Sequence, residues 1–335
     1  MAQQPGGNMT SKNLADKARL SPQDRGYKYD FVKLAPLMGV ITTILTLLAI
    51  GFIVVKGFNY GIDFAGGTEM QVQFASPTTA EQVRTTLQGA GVVSPNVQSF
   101  GGENEFLIRL GTPEGKDESE QNRKNNEVLA KVREALTTKL SLSPEGIRRV
   151  DTVGPQVGSE LKKNGMLAAF YSFLVLLIYV SIRFDYVYAP GAIICLVHDS
   201  LMILGLFAFL GREVNIQIIA SVLTLIGYSL NDTIVTFDRI RETAPQFREK
   251  PLSFIINRAI NDTLGRTFLT AGSTMLACLG LYVFAGGVIA DIAFTLIIGI
   301  IVGTYSSIYV AAPLIIVMEK VVPSGGLPHT ELTTA

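Results

Sequence analysis

The residues of this sequence best placed to do chemistry are ionisable groups inside apolar runs. Asp232 follows Asn231 in the run 214–236, Asp199 follows His198 midway along 189–210, and Arg266 opens the run 267–287. Burying a charge in hydrocarbon is costly, so an ionisable group kept there marks a function or a partner. The chain leaves one run just after Asp232 and re-enters the next at Arg266, which puts both at similar depth. Burial disfavours the charged carboxylate, and an approaching guanidinium favours it. A carboxyl group whose charge depends on a movable arginine loads a proton in one conformation and releases it in another. That is what coupling proton flow to movement requires, and one charge crossing 100 mV supplies about 2.3 kcal/mol. The simpler reading of the pair is a buried salt bridge that fixes helix register. Asn231 reads as an interhelical hydrogen-bonding group. His198 is either a proton carrier or a satisfied core histidine, and Asp199 either a second relay carboxylate or the partner of His198.

Such residues need a membrane bundle to hold them, and the composition supplies one. The chain has 335 residues, 48% of them hydrophobic, with a charged fraction of 17% against the usual ~25%. Six apolar runs, 34–55, 165–182, 189–210, 214–236, 267–287 and 289–317, are long enough to cross a bilayer as helices. This argues against a soluble globular enzyme. Lys+Arg 28 against Asp+Glu 28 gives net zero, which excludes a generally basic nucleic-acid binder. The two cysteines, Cys195 and Cys278, lie inside apolar runs, and no Cys/His cluster has metal-ligand spacing. No disulfide framework, metal or cofactor is expected.

Lys and Arg are asymmetric between the short loops. Six lie in the N-terminal arm and six more in 237–266, whereas the other side offers Arg212. The positive-inside rule therefore places both termini in the cytoplasm. Lys162 and Lys163, on the outer side, break the pattern locally. The expected organisation is an arm over 1–33, a first span, an exported domain over 56–164, a bundle over 165–317 and a tail over 318–335. A stripe of Leu252, Ile255, Ile256, Ala259, Ile260 and Leu264 between Pro251 and Gly265 predicts an amphipathic helix at the inner interface.

The exported stretch reads as β-α-β-β-α-β. Met70, Val72 and Phe74 alternate along 68–75, and Thr78 or Thr79 caps a helix over 79–89. Strands over 96–100 and 105–110 form a hairpin at Gly101-Gly102. A helix over roughly 119–140 buries Val128, Leu129, Val132 and Leu136, and a last strand covers 147–153. This order predicts an α+β ferredoxin-like domain. Gly57–Thr68 (GFNYGIDFAGGT) does not join a strand to a helix as a phosphate loop would, so it reads as a connector with special backbone angles. Gly299 and Gly303 form a GxxxG helix-packing face.

Four strings carry a resemblance: YGIDFAGGTEMQV (60–72), VGPQVGSEL (153–161), GYSLNDTIVTFDRIRE (227–242) and GTYSSIYVAAPL (303–314). In that order and on a six-span plan, the chain from about 30 to 320 resembles the SecF branch of the SecD/SecF family in the RND superfamily. The resemblance implies one half of an RND-type transporter, with a SecD-like subunit supplying the other half. Beside the Sec translocon channel, the pair would use the proton-motive force to help an unfolded exported polypeptide leave the bacterial inner membrane. The family's proton-transport aspartate and arginine fall on Asp232 and Arg266, and its glycine motif on Gly61, Asp63, Gly66, Gly67 and Thr68. A second carboxylate of the proton path belongs to SecD. The chain lacks a second set of spans, so the complete machine is expected to assemble with another chain.

Two rivals come from the same residues. Asp199 and Asp232 on consecutive spans could share a proton as an intramembrane aspartyl protease dyad. Alternatively, the bundle is half of an RND-type small-molecule exporter.

Overall fold

A computed structural model describes residues 27–100, 102, 104–113, 118–184 and 187–321. The expected arm and tail, and Gly101 of the hairpin turn, lie mostly or wholly outside them.

Helix α1 (Phe31–Lys56) has no charge between Lys33 and Lys56 and is apolar all round, as a lipid-facing helix must be. Asp30 caps it by accepting from the Lys33 N–H at 3.1 Å. The rest of its first turn is held from afar. Asn257 Oδ1 accepts from the N–H groups of Phe31 and Val32 at 2.8 and 3.0 Å, and Asn261 Oδ1 from those of Lys28 and Tyr29 at 3.1 and 2.8 Å. The Asn257 amide thus satisfies donors that a helix start leaves open, and Asn261 holds the two residues that lead up to the cap.

After α1 come strand β1 (Asn59–Tyr60), the single-turn helix α2 (Ile62–Ala65) and strand β2 (Gly67–Gln73). Then follow α3 (Ala80–Gly89), β3 (Asn96–Ser99), β4 (Glu105–Leu110), α4 (Glu118–Leu140) and β5 (Ile147–Val153). Thr79 starts α3 through a capping box with Gln82, at 3.3 and 2.8 Å. The sheet runs β3-β4-β2-β5 with every neighbour antiparallel, Thr68 facing Leu110 on one side and Thr152 on the other. Its inner face buries Met70, Val72 and Phe74 with Ile108, against Val83 and Leu87 of α3 and Val132 and Leu136 of α4.

The remaining spans are α5 (Pro155–Arg183), α6 (Ala189–Leu210), α7 (Ile216–Thr243), α8 (Leu252–Phe284) and α9 (Gly287–Ser306). After α9, a π turn (Ser307–Ala311) leads into α10 (Ala312–Val321) in one continuous rod. Strand β6 (Glu213–Val214), just before α7, pairs parallel with β1 and ties the first linker to the bundle.

Two differences from the sequence reading have physical causes. The stripe over 251–265 is not a separate helix on the membrane surface but the first half of the 33-residue α8. Leu252, Ile255, Ile256, Ala259 and Ile260 are buried in the bundle core, so the stripe faces protein. Helix α5 begins at Pro155, ten residues before its apolar run, because Pro at the first helical position fixes the needed backbone angle.

Small residues set how closely the helices approach. A Cβ added to Gly205 of α6 would collide with Ala49 of α1, one added to Gly299 of α9 with Leu225 of α7, and one at Gly303 would lie 3.0 Å from the Ser229 Cβ. A leucine at Gly299 is expected to destabilise the bundle by about 1–3 kcal/mol. Gly272→Leu, where nothing lies within 4 Å, is expected to unfold near the unsubstituted temperature, and thermal scans in detergent compare the two.

Candidate functional site

Helix α7 carries polar side chains on two flanks. Ser229 and Thr233, one turn apart, point toward α6 and the π turn, whereas Asp232 is rotated toward α8. On the α8 flank, half-buried Asp232 accepts a hydrogen bond from Thr267 Oγ1 at 2.7 Å.

The expected contact between Asp232 and Arg266 is not made. Arg266 is exposed and forms no ion pair among the described residues. The cause is helical phase: neighbours on a helix point about 100° apart, so seating Thr267 on α7 turns Arg266 outward. Asn231 is exposed as well. Thr267 escaped the sequence reading, although a hydroxyl beside the arginine that opens a span was the signal for it.

The other flank is sealed. Asp199 is 3% exposed and His198 5%. His198 Nδ1 lies 2.9 Å from Asp199 Oδ1, and Ser229 Oγ donates to Asp199 Oδ2 at 2.5 Å. Cys195, one turn earlier on α6, reaches Ser306 Oγ at 3.2 Å, and Thr233 Oγ1 meets Ser307 Oγ at 2.9 Å. The π turn contributes here, because its extra residue per turn leaves the consecutive Ser306 and Ser307 both buried. No Lys or Arg joins this network among the described residues. His198 and Asp199 are therefore partners, and Ser229 is their third member. No hydrogen bond joins Asp199 to Asp232, and no group of three metal-ligating side chains exists among the described residues.

At the far end of α7 the glycine connector becomes a joint. Asp63 Oδ2 accepts from the Ile216 N–H at 3.1 Å, adding a second carboxylate or amide oxygen to the first turn that Asn215 caps. Gly61 N–H donates to Val214 O at 3.0 Å. Gly66 and Gly67 have φ of 71° and 129°, a region open to glycine, and a Cβ on Gly67 would lie 2.6 Å from Leu110 O. Thr68 Oγ1 bonds Asn125 Oδ1 and Thr152 Oγ1, both at 3.0 Å. Arg109 of β4 donates to Glu69 at 2.5 Å and also pairs with Glu213 of β6, and Arg212 pairs with Asp291 at 2.9 Å. The sheet is thus fastened to the start of the helix that carries Asp232.

Residues 132–321 match the family described as "Protein export membrane protein SecD/SecF, C-terminal", and residues 51–78 match the "SecD/SecF GG Motif". The chain belongs to the SecD/SecF family. Its relatives include "Protein translocase subunit SecF" of Desulfurispirillum indicum, 40% identical over 87% of this chain and 92% of the relative. The protein of the same name from Magnetococcus marinus is 43% identical over 79% and 83%. Among solved structures, the crystal structure of SecDF from Thermus thermophilus aligns with a TM-score of 0.78 at 32% identity, covering 92% of this chain. This chain spans 41% of that one. A SecDF structure in a "Super-membrane-facing form" aligns at 0.64 and 33% identity over 87% of this chain and 39% of its own. The GG match covers the joint, the C-terminal match covers both flanks of α7, and the six long apolar helices among the described residues make this SecD/SecF member a multi-pass membrane protein.

Removing the Asp63 carboxylate leaves the Ile216 N–H without its partner. Asp63→Ala is expected to destabilise by about 1 kcal/mol, with Asp63→Asn retaining most of the stability; thermal unfolding of the two variants measures the difference.

Proposed function

We propose that this chain is the SecF-type accessory subunit of bacterial protein export. It works with a SecD-like subunit beside the Sec translocon channel and uses the proton-motive force to help unfolded polypeptides cross the inner membrane. In this reading both termini are cytoplasmic, and the sheet domain is an exported ferredoxin-like module. The β-α-β-β-α-β order and the strand order β3-β4-β2-β5 support that assignment. The chain carries no catalytic residues in this scheme and needs no cofactor.

The observation that carries the proposal is the surroundings of Asp232. A half-buried carboxyl group of α7 is held by a neutral hydroxyl of α8, and Arg266, the residue before that hydroxyl, forms no ion pair among the described residues. A hydroxyl donates one neutral hydrogen bond, whereas a guanidinium also answers the charge of the carboxylate. Rotation of α8, or a swing of the long Arg266 side chain, exchanges one for the other and links proton release to movement. The face that exposes Arg266 and Asn231 is where a SecD-like subunit would pack and bring its own carboxylate. Motion of α7 would reach the exported domain through Asp63, Gly61 and Arg109.

The protease alternative fares poorly, because Asp199 and Asp232 are engaged by different partners on different flanks of α7. A dyad needs its two carboxyl groups to share one proton.

Asp232→Asn is expected to abolish the proton-gradient-dependent part of export in inverted vesicles while membrane insertion and co-purification with the partner persist. Normal gradient-dependent export by this variant would remove the proposal. Thr267→Val leaves the acid without its neutral donor, and the pH profile of export is expected to shift while Thr267→Ser keeps the original profile.

A further inference from the structure

On the half of the bundle nearest the sheet domain, α5 stands away from its neighbours and leaves a cleft of about 450 Å³ against α6 and α7. Its walls are hydrocarbon, from Met166, Phe170 and Phe173 on α5 to Leu204 on α6 and Val222 and Ile226 on α7. Ser200 also lines it, but its hydroxyl already donates to Leu196 O at 2.9 Å. The cleft therefore offers its occupant no hydrogen bond along its length. An extended peptide placed there would leave its N–H and C=O groups unpaired, at a cost of kilocalories each. An acyl chain carries no such groups.

The dimensions suit one leaflet. Lys162 marks the mouth and Phe173 the far end, and the eleven helical steps from one to the other rise about 16 Å. This is close to half of the ~30 Å hydrocarbon core. The mouth is cationic. Lys162 Nζ sits 4.0 Å over the Tyr60 ring and has no carboxylate partner among the described residues. Lys163 beside it is exposed. Glu160 lies two residues from Lys162, a spacing that points it elsewhere, and three from Lys163, with which it forms no ion pair among the described residues. Asp63 is occupied by the first turn of α7. These are the two lysines that depart from the positive-inside pattern, and the proton path uses neither.

We propose that this cleft is a binding site for an anionic phospholipid of the leaflet on the sheet-domain side. One acyl chain fills the space between α5, α6 and α7, and the phosphate meets Lys162 and Lys163. The inference rests on the membrane reading of the chain but not on proton coupling, so failure of the Asp232 test would leave it standing.

The sequence contains no tryptophan, so Phe170→Trp places a single reporter on the cleft wall. The full chain carrying it goes into phosphatidylcholine nanodiscs that contain either dibrominated phosphatidylglycerol or dibrominated phosphatidylcholine. Half-quenching is expected at an about fivefold lower mole fraction of the anionic lipid. Lys162→Gln and the double variant Lys162→Glu/Lys163→Glu are expected to bring the two lipids together. Equal quenching by both lipids in the unsubstituted mouth, or a preference that survives the lysine changes, overturns the proposal. In the complex with the SecD-like partner, subtracting the spectrum of the complex without the reporter isolates the same signal. Loss of quenching there assigns the cleft to a subunit interface and also overturns it.

Discussion

Within a bilayer core, a polar side chain that finds no protein partner has no water to fall back on. That constraint governs α7. Ser229 and Thr233 fall on one flank and Asp232 on another, and each flank has recruited a neighbouring helix to answer it. Thr267 of α8 serves Asp232, while Ser229 serves Asp199 of α6, and Thr233 meets the last span at Ser307. The helices α6, α8 and α9 are thereby held around α7 by polar contacts as well as by the close approach that Gly299 and Gly303 permit. Removing the polar pairs would leave aliphatic faces able to settle in other registers, since lipid tails give helices no hydrophobic reason to choose one another.

The glycine connector extends the same logic out of the membrane. Gly66 and Gly67 let the backbone turn where a side chain would strike Leu110, and Asp63 lends a carboxylate to the first turn of α7. Arg109 joins strands of the sheet to β6, the last residues before that helix. The domain and the site-bearing helix therefore share one mechanical joint rather than a slack linker.

Much of this was legible in the residues. Apolar runs give the six spans, and period-two and period-three-to-four patterns give the strands and helices of the sheet domain down to the Thr79 cap. What periodicity could not supply was phase. Arg266 and Thr267 are adjacent letters, and only the rotation of α8 decides which one faces Asp232. The stripe from Leu252 to Ile260 is amphipathic whether it meets lipid or protein, because hydrocarbon is apolar in both. The π turn left no trace in composition, yet it lets Ser306 and Ser307 both reach inward. His198 and Asp199 were marked by their position inside a span, whereas their bond to Ser229 across thirty residues was not.

The two asparagines that grip the start of α1 have a mechanical meaning. Asn257 and Asn261 stand on α8, upstream of Thr267 on the same rod, and hold four backbone amides of the chain leading into the first span. The first span is thus latched to α8 like a tiller to a rudder post. In the proposed exchange, any swivel of α8 that trades Thr267 for Arg266 would drag that latch along, so a change in charge at a single carboxyl group would be felt where the first span begins, on the side of the bundle from which α8 starts.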